Sequence, residues 1–161
     1  MANININIKI EGLDKLVKAL ARFPQVSVKH INTGIKKSMY EIDREAKQLS
    51  PVDTGRLRSS FQVKLTNLRG EIGPTVNYAA DVHEGRSPGS WPPYGIGTSL
   101  ELWARRKGIP AFLVARKIAT KGTKGVPFLR DGVEAAVPAI EHHIRVAFGN
   151  VMDEITKMAK R

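Results

Sequence analysis

No cysteine occurs anywhere in the 161 residues, which excludes disulfides, thiolate nucleophiles and zinc sites built on sulfur, and fits a protein made in a reducing cytoplasm. Long apolar runs are missing as well: nothing approaches the roughly 20 residues that a membrane-spanning helix needs. The first ten residues alternate Asn with Ile where a secretory leader would set a basic stretch before an apolar block. The expectation is a soluble, unprocessed chain with no membrane partner. Acidic residues are in deficit, 15 Asp and Glu against 26 Lys and Arg, for a net charge of +11. Such a surplus favours nucleic acid or acidic surfaces as neighbours. Internal repeats and low-complexity tracts are absent, and 42% hydrophobic residues suffice for the core of one ordinary domain spanning 1–161.

Ile4, Ile6, Ile8 and Ile10 alternate with polar residues, the period of a strand. Leu13, Leu16, Val17 and Leu20 then repeat at helical spacing, and Pro24 terminates that short helix. Val28, Ile31, Ile35, Met39, Ile42, Ala46 and Leu49 predict a longer amphipathic helix, stopped at Ser50 by Pro51. Phe61, Val63 and Leu65, a reverse turn over 67–70, and Ile72 predict a hairpin. Val76, Tyr78, Ala80 and Val82 predict a third extended piece ending at Gly85. The prolines and glycines of 86–98 predict a long surface loop, followed by two short helices over 100–107 and 111–121 and a small basic turn over 122–125. Val133, Val137, Ile140, Ile144, Phe148, Val151, Ile155 and Met158 mark one face of a final helix. The fold class is therefore α+β: a small, mostly antiparallel sheet packed against a long helix and a C-terminal helix, with a loop and two-helix insertion at about 86–125.

Reactive constellations are scarce. His142 and His143 diverge by about 100° on a helix and cannot share a metal as residues four apart do. His83-Glu84 lacks the second histidine of a zinc-protease pair, Ser87 standing there. The glycines of 95–97 and 122–125 have neither the strand nor the helix of a phosphate loop. Asp53, Asp81 and Glu84 lack the companion lysine of a magnesium nuclease. No catalytic residue, metal ligand or cofactor is expected. A basic cluster does occur: Arg105, Arg106, Lys107, Arg116, Lys117, Lys121 and Lys124 fall on the two short helices and the turn after them, the outline of a helix-turn-helix. Phe112, Leu113, Val114 and Ile118 occupy positions that a base-reading helix would give to polar residues, so contact with phosphates is a better match than sequence readout.

Three marks remain, in this order. Pro51, Asp53, Thr54, Gly55, Arg56 and Leu57 make a proline-initiated turn, in which Asp53 and Thr54 are expected to cap the segment that follows. Tyr78 and Ala79 are followed by Glu84 and Gly85, and Pro127, Phe128 and Leu129 precede the last helix. In order and spacing these resemble a family of tail components of long-tailed bacteriophages, over roughly residues 10–160. The chain departs from the family pattern in its long 86–125 segment and in His83, where an aromatic or apolar residue is usual. The resemblance implies a structural virion protein of the head-tail junction or upper tail (neck, tail completion or head-tail joining), made in the host cytoplasm and assembled as a sixfold ring around the DNA path. Its implied partners are further copies of itself, adjacent head-completion, tail-terminator or tail-tube proteins, and DNA in the channel through nonspecific contact. The alternatives are a tail terminator capping the tube and a basic DNA-binding accessory protein. Cyclic packing needs two different adhesive surfaces on each subunit, and Trp91 with Tyr94, set among prolines in the 86–98 loop, is the candidate for one of them.

Overall fold

The computed structural model describes residues 21–160; the expected strand over 4–10 and helix over 13–20 lie outside them. Along the chain come α1 (Phe23–Leu49), α2 (Arg56–Ser59), β1 (Phe61–Thr66), β2 (Arg69–Pro74), α3 (Ala79–Glu84), β3 (Gly85–Arg86), α4 (Ser99–Arg106), α5 (Ala111–Lys121), β4 (Thr123–Lys124) and α6 (Phe128–Lys160). β1 and β2 form an antiparallel hairpin, and the class is α+β. β3 and β4 make a second antiparallel ribbon, Gly85 opposite Lys124 and Arg86 opposite Thr123. The described residues gather into two compact units, one of 21–41, 65–71 and 137–160, the other of 42–64 and 72–136.

In the first unit, α1 and α6 run antiparallel, Val26 packing with Val151 and Ile155 while His30 bonds Glu154. Pro24 stands in the first turn of α1, where a missing N–H costs nothing, just after the turn at Arg22. The innermost line of α1 in this unit is Val26, Gly34 and Ser38, not the large residues of the expected stripe. A Cβ on Gly34 would come within 2.9 Å of the Ala147 Cβ, so the helices approach where side chains are small. The Ser38 hydroxyl satisfies itself by donating to the Gly34 carbonyl at 2.9 Å. On α6 the inward positions of this unit are Ala147, Val151 and Ile155, whereas Val137, Val146, Phe148 and Met152 are exposed. The expected apolar face of the last helix is thus partly turned outward.

The second unit holds the larger core: Ala46, Leu57, Phe61, Ala79 and Phe128, flanked by Ile72, Val76, Tyr78, Val82 and Leu129. Phe128, 1% exposed, meets the edges of the Phe61 ring at 5.9 Å and the His83 ring at 5.0 Å between centroids, and its burial stabilises by about 1.5–3 kcal/mol. The third extended piece expected over 76–85 is instead a turn and the helix α3. The alternation of Val76, Tyr78, Ala80 and Val82 coincides with a second spacing, Val76, Ala79 and Val82 in steps of three, and these three meet the core together with Tyr78. The basic turn over 122–125 is extended by its pairing with β3. α4 and α5 form as expected, with the Thr98 hydroxyl accepting from the Glu101 N–H at 3.3 Å to open α4.

Candidate interface groove and exposed apolar surfaces

The three marks converge on the second unit's core. Leu57, Ala79 and Phe128, one from each, are buried in the same cluster, with Tyr78 and Leu129 packed against it. The Leu129 N–H donates to His83 Nδ1 at 3.4 Å, which joins the second mark to the third, and the Pro127 carbonyl accepts from Asp131 in the first turn of α6. Gly85 has φ +82°, and a Cβ on it would collide with the Thr123 carbonyl; glycine is what lets β3 lie against β4. Glu84 is exposed.

Around the first turn, Gly55 adopts φ +80° as the residue before α2, a conformation that costs L side chains free energy. Asp53 and Thr54 do not cap α2, which has no side-chain cap. The Asp53 carboxylate bonds Arg106 and lies 3.9 Å from Lys107 Nζ; two cations at the end of α4 offer it more than the N–H groups of a single helical turn. Capping takes place one turn earlier in the chain. The Arg58 guanidinium donates to the Ser50 carbonyl at 2.9 and 3.2 Å and to the Gln48 carbonyl at 3.0 Å, satisfying acceptors that the end of α1 leaves open.

The 51–57 turn, α3, the 86–98 loop, α4, α5 and β4 enclose a groove of ≈ 1130 Å³. Pro51, Arg56 and Tyr78 line it alongside Trp91, Arg106 and Lys124, so that residues from the first two marks, the loop and the basic cluster share one surface. Trp103, on α4, also lines it; the sequence offered only its residue type as a signal. Asp81 lines the groove too and pairs with Arg86 at 2.9 Å.

Beside the groove, Trp91 is stacked on Phe112 at 5.8 Å, and Tyr94 meets both rings at 5.9 and 6.1 Å. The cluster remains open to solvent: Trp91 and Phe112 are each 49% exposed, and Leu113 and Ile109 are exposed nearby in sequence. The apolar residues of α5 that argued against a recognition helix are therefore only partly core; Phe112 belongs to this patch. The basic cluster divides in two. Arg105 pairs with Glu101, and Arg106 and Lys107 pair with Asp53, whereas Arg116, Lys117, Lys121 and Lys124 are exposed and have no acidic partner among the described residues.

In the first unit, the His30 hydrogen bond holds the Glu154 carboxyl below the usual glutamate range; burial opposes this, and Lys29 and Lys157 support it. His143 faces Glu41 at 3.9 Å. Among the described residues no group of three or more metal-ligating side chains gathers, and no helix is long and apolar enough to cross a membrane.

Residues 14–85 match a protein-family model described as "Bacteriophage HK97-gp10, putative tail-component", and this part of the chain is similar to that family of phage tail components. The match takes in the first two marks and stops where the insertion begins, short of Pro127, Phe128 and Leu129. Neither a curated protein nor a solved structure matches the chain.

Proposed function

We propose that this chain is a structural, non-catalytic virion protein of the head-tail junction or upper tail, acting in neck formation, tail completion or head-tail joining. It assembles as a closed ring around the DNA path and meets adjacent head-completion, tail-terminator or tail-tube proteins. The tail-component match over 14–85 carries this reading. Two apolar surfaces support self-assembly. One is the Trp91, Tyr94 and Phe112 patch of the second unit; the other is the Phe148 and Met152 pair, one turn apart on α6 in the first unit and 55% and 61% exposed. A ring built from head-to-tail contacts requires two unlike surfaces on every subunit, and large exposed apolar groups mark interaction sites.

Native mass spectrometry of the full chain across micromolar concentrations tests the ring. The expected result is one discrete closed oligomer, sixfold if the symmetry of the tail is followed, and its loss when Trp91 and Phe112 are changed to alanine. A strict monomer at every concentration would sink spontaneous ring formation. The exposed cations Arg116, Lys117, Lys121 and Lys124 favour a second reading, a basic DNA-binding accessory protein. In that case the monomer would bind duplex DNA with an affinity falling steeply as salt rises.

A further inference from the structure

We propose that the groove of the second unit is the docking site for an extended segment of a different protein, a segment rich in acidic residues around an apolar stretch. The inference rests on the reading above only for the source of that partner, a neighbouring protein of the virion; the groove itself sets the chemistry. At ≈ 1130 Å³ it exceeds the usual small-molecule pocket of about 300–1,000 Å³ and has room for several residues of chain. Trp91, Leu100, Trp103 and Ile118 line it, and large aromatic anchors of this kind carry most of the energy where a peptide side chain is buried. Among the described residues β4 pairs only with β3, and its Thr123 and Lys124 line the groove. An extended segment laid along β4 would add a third strand, as in other strand-addition complexes.

Charge selects the occupant. Four cations line the groove, Arg56, Arg86, Arg106 and Lys124, against two carboxylates, Asp53 and Asp81. Both carboxylates are already neutralised, Asp81 by Arg86 and Asp53 by Arg106 with Lys107. Arg56 and Lys124 are exposed and have no acidic partner among the described residues. A docked segment with acidic residues flanking its apolar part would complement that surplus and gain in association rate and selectivity. Another copy of this chain matches poorly: it carries +11 overall, and its first 20 residues hold three lysines against Glu11 and Asp14.

Selection of a randomised twelve-residue peptide library on the full-length protein tests this directly. The expected consensus is net acidic with leucine or aromatic residues between the charges. A fluorescent peptide of that consensus should lose at least about tenfold in affinity when Arg56→Glu and Lys124→Glu are combined, and keep it with Arg56→Lys. Both positions are exposed, and an unchanged circular dichroism spectrum would certify the fold. A neutral or basic consensus would overturn the proposal, as would indifference to the double reversal or displacement of the peptide by a DNA duplex at equal charge. Loss of the wild-type oligomer in the same double variant would assign the groove to self-association instead. If the protein proves monomeric yet binds the acidic peptide through Arg56 and Lys124, the ring reading fails and the groove assignment stands.

Discussion

Leu68 is the only non-glycine residue with positive φ among the described residues, at +56°, and it sits in the two-residue turn between β1 and β2, half exposed at 48%. A turn that needs positive φ at its second central residue favours Gly or Asn there; for an L side chain that geometry costs about 1–2 kcal/mol. Asn32 holds the turn in place from α1, its Oδ1 accepting from the Leu68 N–H at 2.7 Å and its Nδ2 donating to Asn67 Oδ1 at 3.1 Å. Leu68→Gly should relieve the strain, lose little burial and give back about 0.5–1 kcal/mol in chain entropy. The expected net is a stabilisation of about 0.5–1 kcal/mol, seen as a higher urea midpoint at unchanged slope; a lower midpoint would mean that the Leu68 side chain matters more than its backbone. The hairpin was legible in the alternation of Phe61, Val63 and Leu65. The sequence pointed to Gly70 as a turn residue, but Gly70 lies in β2, where a Cβ would run into the Met39 side chain. Asp53 failed as an expected cap for a related reason: its partners, Arg106 and Lys107, are 53 and 54 residues away, beyond any local rule.

Periodicity revealed that α1 and α6 exist and found part of their faces: Ile42 and Ala46 on α1 and Val151 and Ile155 on α6 are buried as expected. The inward positions of α1 include Gly34 and Ser38 alongside Ile42 and Ala46; a hydrophobic stripe does not weight the glycine and the serine, and just past the helix the buried Ser50 is satisfied by donating to the Ala46 carbonyl at 2.6 Å. Large apolar groups counted toward the last helix's inner stripe, Phe148 among them, are exposed because small residues occupy the contact line. Between the two helices of the first unit, the His30 and Glu154 pair makes a pH-dependent link. Glu154 has a folded pKa below its ordinary value, so its contribution is fully present above the unfolded-chain pKa and is lost as pH falls through the depressed folded value. Urea unfolding from pH 7 down to pH 3 should show wild type more stable than Glu154→Gln at the upper end, the gap closing with acidification through and below the glutamate range. A gap independent of pH would mean that the carboxylate charge contributes nothing and that the pair is held by hydrogen-bond geometry alone.

At the scale of the whole molecule, the marks that resembled a tail-component family explain the second unit's core better than they explain any contact with a partner, since Leu57, Ala79 and Phe128 are spent on packing. The exposed apolar surfaces proposed above for self-assembly lie elsewhere, on the 86–98 loop with α5 and on α6, and neither carries a motif. Their exposure was invisible in sequence, because an apolar residue at helical spacing reads the same whether it is covered by its own chain or by another. The proposed ring makes a prediction that separates head-to-tail from two-fold assembly. One variant carries Trp91→Ala and Phe112→Ala, the other Phe148→Ala and Met152→Ala; all four side chains are at least 49% exposed, so both variants should remain folded. If the patch of one subunit meets α6 of the next, each variant alone stays monomeric where wild type closes its ring. An equimolar mixture then gives one-to-one heterodimers, pairing the intact α6 of the first with the intact patch of the second, and nothing larger, because both outer surfaces of that pair are disabled. The two variants differ in mass, so native mass spectrometry resolves the heterodimer from either homodimer. Homodimers of a single variant would instead mean that one surface pairs with itself, and an open or closed head-to-tail ring through these two surfaces would be excluded.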